Sequence, residues 1–578
     1  MKSLSSNDYF RRQLLSALLS IALVSTSAFA WQQEAKSTSS TAATAVATRK
    51  AAAPLTDAER KAAAQVKLET IREVTTTLSS KEFEGRGTGQ PGGDKAARYL
   101  ADRFAKLGLK PAGDDGTYLQ AIKFRSGQVL PNSSIKIGDA VLNHGQDYVV
   151  LPPYTVEEAN ATAGVVFAGY GVVSPELKRD DLADIDLEHK VVIILNGQPA
   201  GVDATAWRQA TSPQVRTMNL FSRGASTIIV ANAGTEAQPF ATIANYVSRR
   251  RVSLASTPVP RYAIPPVILA SDAAMEKIFA GSTMTYKQAL ENAKTGAMVS
   301  RALGKPAAIA LRFKMEETTG SNVVAALEGS DAKLKEEAVV YTAHYDAYGI
   351  ERDGRIFPGA ADNALGTATI TAIAESLVKA FPTPSSRPRR SIIFLAVTGE
   401  EYGLFGSEYW VRYPTWPLNK VAADINFDGI GTEVYGPVKS IVGFGAEHSD
   451  LGPVFEEVTA ATGNTVTPDP MPEENAFVRS DHYAFVKKGV PALMLMGGPA
   501  GDASVWLPRA KKWLATDYHS PSDTVKPDWN WTGPQTLGQV GLIIGLRVAN
   551  ADTMPAWKAT SPFNKPRTEP TQPKPPGQ

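Results

Sequence analysis

His344, Asp346, Asp362, Glu400, Glu401 and Asp428 are imidazole and carboxylate side chains that fall where a folded chain would present them together. The apolar run Val339 to Ala343 leads into His344-Tyr345-Asp346, Ile392 to Thr398 into Gly399-Glu400-Glu401, and Ile425 to Phe427 into Asp428. Asp362 lies in Gly359-Ala360-Ala361-Asp362-Asn363, just before a helical pattern that starts near Leu365. Ligands of α/β sheets gather at the carboxyl ends of strands. These groups therefore sit at three such ends and at one helix entrance.

The chemistry this set can do is metal-assisted hydrolysis. The chain has no cysteine, so thiolate zinc sites, Cys nucleophiles, disulfides and a bacterial lipid anchor are excluded, and any metal must be held by His, Asp and Glu. A carboxylate that bridges two zinc ions about 3.5–4 Å apart lets the pair acidify a shared water and polarise a scissile carbonyl. Zinc brings the pKa of such a water to roughly 7. A second carboxylate must then take and deliver the proton. Adjacent Glu400 and Glu401 project differently from a turn, so one can face metal and the other water. Singly, each group has a plainer explanation. His344 could be a hydrogen-bonded core residue and the Glu pair a solvated helix start. Asp362-Asn363 could be an N-cap and Asp428 a turn residue. Their succession favours the chemical reading.

The elements that must position these groups come from the block 306–550. Ala338 to Ala343, Ser391 to Val397, Val421 to Phe427 and Val490 to Met496 read as buried strands, with helix-like stretches between several of them. That order predicts an α/β fold, a central mostly parallel sheet with helices on both faces. Ahead of it, 125–305 is β-rich, with short runs such as Val165-Val166-Phe167 and Val191 to Leu195 bounded by turn residues. One helix-to-strand unit passes through Gly224-Ala225 into Thr227 to Val230. This block holds His144 and His189 without a dense ligand cluster and reads as non-catalytic.

The segment 55–124 reads as helical. Asp57 can cap a run from Ala58, and Ala97, Leu100, Phe104 and Leu107 recur at helical spacing after Pro91, with Gly108 ending the helix. Gly85-Arg86-Gly87-Thr88-Gly89 fails to complete G-x-G-x-x-G because Gln90 follows, so it reads as a loop. Residues 31–54 are a flexible Ala/Ser/Thr linker, and 551–578 a Pro-rich disordered tail.

Residues 1–30 have the make-up of an export signal. Lys2, Arg11 and Arg12 precede the apolar run Leu14 to Val24, and Ala28-Phe29-Ala30 supplies the cleavage site. The run is shorter than the ~20 residues a membrane span requires. The expected location is periplasmic or secreted, with no membrane attachment after cleavage. Across 578 residues, at roughly 150 per domain, two to four units are expected. The 43% hydrophobic and 20% charged content is that of a soluble globular protein, and a net charge of +2 gives no reason to expect nucleic acid as a partner.

Taken with His-x-Asp at 344–346, Gly-Ala-x-Asp-Asn at 359–363, Gly-Glu-Glu-x-Gly-x-x-Gly-Ser at 399–407, Asn-x-Asp at 426–428, Arg-Ser-Asp-His at 479–482 and Tyr-His-x-x-x-Asp-Thr at 518–524, the chain resembles the di-zinc aminopeptidases of the secreted leucyl aminopeptidase type. Glutamate carboxypeptidase II, glutaminyl cyclase and the non-enzymatic transferrin receptor are more distant relatives. The helical segment with Gly85-Arg86 and Pro91-Gly92 is also similar to that family's N-terminal part. The resemblance implies two Zn²⁺ ions bridged by Asp362, one completed by His344 and Asp428 and the other by Glu401 and His519. It implies Glu400 as general base and then acid, Asp346 as the group that orients His344, and Tyr518 as the phenol that stabilises the oxyanion. It further implies a cis peptide between Asp362 and Asn363. His482, in the ligand-like pair Asp481-His482, is left with a structural or substrate-side role, because His519 follows Tyr518 in the matching context.

The block 125–305 resembles, more loosely, a protease-associated domain inserted into the peptidase fold, over Asp186 to Leu195 and Asn219 to Asn232. What the whole resemblance implies is a zinc exopeptidase acting on peptides, foremost an aminopeptidase. A carboxypeptidase or another amide hydrolase on the same di-zinc site is the alternative, and a receptor-like binding protein would require ligands to be missing.

Overall fold

A computed structural model describes residues 53–151, 156–231, 239–255, 266–297, 299–351, 353–429, 436–499 and 503–568. The expected export signal, most of the linker, and the tail beyond Thr568 lie outside these. Two compact units are present, one formed by Arg125–Glu317 and the other by the chain before and after it.

In the first unit, strands Glu158–Phe167, Val191–Leu195, Thr227–Ala231 and Val267–Ala270 run parallel in that spatial order. Tyr148–Val150 joins the last of them antiparallel. On the other side, Glu158–Phe167 pairs antiparallel with the start of the long strand Arg301–Leu327, whose register shifts between Ala302 and Pro306. Phe167, Ile193, Ile229, Ile268 and Phe279 are among the residues that build its core. Helix Pro213–Ser222 precedes strand Thr227–Ala231, and Gly224 (φ +87°) makes the reversal between them. The unit extends past 305, where the sequence suggests a boundary, to Glu317. Pro306 reads as a break in sequence, yet it sits where the pairing with Glu158–Phe167 shifts register, an irregularity at which a missing N–H is tolerated.

The second unit has the expected α/β architecture. Its sheet runs Lys110–Pro111, the end of Arg301–Leu327, Ser391–Val397, Ala338–His344, Val421–Asn426, Ala492–Gly497, Ser440–Phe444, Thr465–Val466. The four central strands are mutually parallel, and they are buried along their whole length, which is why they read as continuous apolar runs. Alternation along them feeds two cores. Val339, Tyr341, Ala343, Ile392 and Phe394 face one layer, with helices Leu365–Ala380, Leu68–Leu78 and Thr532–Asn550 contributing to it. Ala338, Val340, Ile393, Leu395 and Val397 face the other, with Trp410, Val411 and Phe485 from helices Phe405–Arg412 and His482–Val486. No helix among the described residues is long and apolar enough to cross a membrane.

Two expectations need correction. Thr56, not Asp57, caps the first described helix, in a capping box closed by Glu59. Residues 551–568 are not a disordered tail: Arg567 donates to the carbonyls of Val421 and Ala422, and Trp557 Nε1 to Gly489. Pro and Lys dominate the composition there, but a few anchoring side chains suffice to order the segment.

Candidate metal centre and active-site cleft

The parallel register brings His344 level with Val397, so their strands end together and the groups that follow them converge. Glu400 and Glu401 stand on a short 3₁₀ turn, Glu400–Tyr402, entered through Gly399 at φ +74°. Asp362 occupies the irregular turn that precedes helix Leu365–Ala380, and its peptide bond to Asn363 is cis. Asn363 then fastens that turn to the neighbouring strand end, donating from Nδ2 to the Phe427 carbonyl at 2.8 Å.

Two groups of metal-competent side chains result, His344 with Asp362 and Asp428, and Asp362 with Glu401 and His519. Asp362 belongs to both. His344 Nε2 lies 3.3 Å from Asp362 Oδ1 and 3.3 Å from Asp428 Oδ1. His519 Nε2 lies 3.2 Å from Asp362 Oδ2 and 3.0 Å from Glu401 Oε2. Glu400 Oε2 is farther out, 3.8 Å from His344 Nε2, and belongs to neither group. Asp346 Oδ1 stands 3.7 Å from His344 Nδ1 and accepts the Glu400 N–H at 3.3 Å, while Oδ2 accepts the Thr88 hydroxyl at 2.9 Å. Asp346 therefore braces the glutamate turn as well as flanking the imidazole.

The protonation chemistry tests whether these residues suit a metal. His344 Nδ1 is 3.2 Å from the Asp346 carbonyl, which only accepts, so the ring proton sits on Nδ1 and a neutral His344 turns its Nε2 lone pair toward two carboxylates. Burial lowers the His344 pKa, but Glu400 and Asp428 outweigh it and raise it well above the ordinary value. Burial opposes His519 likewise, and Glu401 and Asp362 lift it to about 10. Burial pushes the Glu400 carboxyl well up, against the pull of His344 and with the push of Asp428. Among the described residues no well-aligned hydrogen-bond donor meets buried Asp362 Oδ2, which has His519 Nε2 at 3.2 Å. Acceptors facing acceptors around a shared carboxylate need protons or cations, and imidazole with carboxylate is a donor set that suits zinc. The residues fit the metal.

A cleft partly open to solvent borders this centre, lined on one side by Asp362, Glu400 and Asp428 and on another by Phe444, Met471, Met494, Met496 and Trp513. Tyr518 also lines it, its ring stacked on His519 at 3.6 Å, and its hydroxyl accepts from Arg479 Nη2 at 3.2 Å. Burial holds the Tyr518 phenol well above its usual pKa, with the Arg479 charge opposing. His482 is in neither metal group. It is fully buried, with Nδ1 3.4 Å from Asn426 Nδ2 and its ring 5.3 Å from that of Phe477.

Sequence reasoning gave no role to three residues that hold the site together. Asp523 accepts the N–H groups of Ala361 at 2.9 Å and Asp362 at 3.0 Å. Burial pushes its carboxyl up to about 7, against those two donors. Arg86, fully buried, donates to the carbonyls of Leu78, Tyr345, Pro358 and Gly359 and so ties the His344 strand end to the Asp362 turn. Arg479 joins Glu474 to Tyr518. All three stand inside or beside the motifs, but their partners are backbone groups or distant side chains that spacing does not reveal.

A mostly parallel α/β sheet with two His–carboxylate groups at and beside its strand ends offers a candidate metal centre. Residues 322–543 match the model of Peptidase family M28. A "probable leucine aminopeptidase 2" of Aspergillus oryzae is 28% identical over 222 residues, 37% of this chain and 41% of that protein. "Aminopeptidase NAALADL1" of Mus musculus is 32% identical over 126 residues, 22% of this chain and 16% of that protein. The chain thus spans less than half the length of these relatives. The solved structure described as "Aminopeptidase from Aneurinibacillus sp. strain AM-1" superposes with a TM-score of 0.54 at 16% identity, over 86% of this chain and 97% of that one. This last likeness concerns the fold alone.

Proposed function

We propose that this protein is a zinc-dependent aminopeptidase that binds two zinc ions and removes N-terminal residues from peptides. One observation carries the reading: two ligand groups share Asp362, and Glu400 lies beside them without belonging to either. His344 and Asp428 would complete one ion, Glu401 and His519 the other. When bound, zinc supplies Lewis acidity, which favours deprotonation of water and polarises the scissile carbonyl.

The chain's own residues do the rest. Glu400 takes the proton of the attacking water on a carboxylate oxygen and delivers it to the leaving amine, and its raised pKa suits a group that must hold the proton between the two steps. Asp346 fixes the Glu400 backbone through its N–H and keeps the His344 ring in place. Tyr518 donates its hydroxyl hydrogen to the carbonyl oxygen as charge develops there, and Arg479 adds a cation behind it. The methionine and aromatic walls exclude water from the side chain being released. We further read residues 125–305 as a protease-associated domain and residues 1–30 as an export signal to the periplasm or exterior.

The test is a panel of one peptide with free, N-blocked and C-blocked ends, assayed with and without a zinc chelator. Cleavage of the free and C-blocked forms alone, abolished by chelator and restored by Zn²⁺, is expected. Cleavage that requires a free carboxyl end would make the enzyme a carboxypeptidase. Hydrolysis unaffected by exhaustive chelation would remove the metal from the mechanism.

A further inference from the structure

The segment after helix Thr532–Asn550 packs back onto the catalytic unit. Arg567 donates to Val421, Ala422 and Pro555 carbonyls at 2.9, 3.0 and 2.9 Å, and Thr568 N–H to Lys488 at 3.0 Å. Trp557 Nε1 donates to the Gly489 carbonyl at 2.9 Å, and Lys558 N–H to that of His448 at 2.9 Å. Gly489 (φ +83°) is shaped for this contact, since a Cβ there would lie 2.3 Å from the Pro566 carbonyl oxygen. The segment is thus a strap anchored on backbone groups at several points.

Its middle carries Phe563, whose ring centroid lies 4.9 Å from that of His448 and 5.4 Å from that of Phe477. Phe477 in turn sits in the short turn Ala476–Val478, 5.3 Å from the buried His482 ring. That turn is made of local hydrogen bonds, Val478 N–H to Asn475 and Arg479 N–H to Ala476, and is entered through Asn475 at φ +50°. It is flanked by Glu474 and Arg479, which line the cleft together with Ala476. Arg479 donates to Glu474 Oε2 at 2.9 Å and to the Tyr518 hydroxyl at 3.2 Å. The turn is further placed by the Phe477 ring, which packs on Phe563, His448, His482 and Tyr483 and, with Ala476, against Val442, Phe444, Met494 and Met496.

We propose that Trp557–Thr568 is a strap that sets the cleft rim, and that Phe563 is a positioning residue for the reaction, acting through Phe477 on the Arg479–Tyr518 pair. The inference rests on the aminopeptidase reading above. A misplacement of about 1 Å in a catalytic group can cost on the order of 100-fold in rate. Phe563→Ala is therefore expected to lower kcat on a free-amino peptide by between about 10- and 100-fold, with zinc content unchanged. Phe563→Tyr should restore most of it.

A merely stabilising ring would behave differently, and a double-mutant cycle separates the two. In a Tyr518→Phe background the further effect of Phe563→Ala on kcat should shrink to about twofold or less, because the group it positions is already gone. Should Phe563→Ala fail to fold, Arg567→Ala releases the strap at its end with every ring retained, and the same cycle applies. A variant that loses thermal stability yet keeps wild-type kcat and KM overturns the proposal, as does an equal loss in both backgrounds. A wild-type protein inactive on every free-amino peptide overturns the aminopeptidase reading and the strap's role with it, whereas an active wild type with indifferent strap variants overturns the strap alone.

Discussion

Asp523 grips the turn that carries Asp362, accepting the Ala361 N–H on one carboxylate oxygen at 2.9 Å and the Asp362 N–H on the other at 3.0 Å. The shared carboxylate of the two ligand groups is thereby fixed from its own backbone. Groups that orient ligands without touching metal typically matter 10–100-fold in affinity or activity. Asp523→Asn, which turns an amide toward one of those N–H groups, is expected to weaken zinc binding by about 10–100-fold. Competition against a chromophoric chelator measures it. An unchanged affinity would mean that the Asp362 turn keeps its shape unaided.

Glu400 stands 3.8 Å from His344 Nε2 and outside both ligand groups, so its removal should separate binding from turnover. Glu400→Gln is expected to lower kcat by about 10²–10⁴-fold, the usual share of a general base, while zinc stoichiometry stays at the wild-type value. Metal analysis and steady-state kinetics on one preparation check both halves. Loss of zinc in the variant would instead make Glu400 a ligand.

What the sequence disclosed and what it hid have physical causes. The four parallel strands were legible because strands buried on both faces are nearly continuous apolar runs. The edge strand Thr465–Val466 and its neighbour Ser440–Phe444 were not, being short and, in the latter, interrupted by Gly443, whose missing side chain makes room for the Phe455 ring. The strand-end position of His344, Glu400, Glu401 and Asp428 could be read from pattern. The preference for His519 over His482 came from resemblance, since both follow plausible contexts. The order of residues 551–568 was hidden because composition counts polar residues and does not see where Trp557, Phe563 and Arg567 find partners.

Arg86 shows what spacing cannot reveal, because its acceptors are carbonyls at 78, 345, 358 and 359. Burial lowers its pKa to about 10, so the guanidinium stays charged at neutral pH. Lysine is a point charge with three donors and cannot reach the same fan of acceptors. Each buried acceptor left without a donor costs about 1–3 kcal/mol, so Arg86→Lys should destabilise by about 3 kcal/mol or more. Thermal unfolding should shift down accordingly, with zinc affinity falling too because the Tyr345 and Gly359 carbonyls belong to the ligand-bearing segments. A melting temperature within a degree or so of wild type would contradict this account.

His482 should leave its mark on acid stability. Burial lowers its pKa from 6.5 to about 4, against the Asp428 charge, so the folded protein keeps the ring neutral while the unfolded chain protonates it near 6.5. Between those two values the unfolded state binds more protons, and stability must fall as the pH falls. The contribution is fully present above about pH 6.5, is lost progressively on the way to pH 4, and is on the order of 3 kcal/mol, from about 1.36 kcal/mol per pKa unit. His482→Gln removes the titrating group and should flatten this limb, so that the stability difference between the two proteins narrows or reverses as the pH falls from 6.5 to 4. Urea unfolding of both proteins across that range, with zinc content followed in parallel, isolates the effect from metal release, which is common to both. A wild-type-minus-variant difference that stays constant across the range would mean that His482 is protonated in the fold, and that the Asn426 and Phe477 surroundings are more polar than their burial implies.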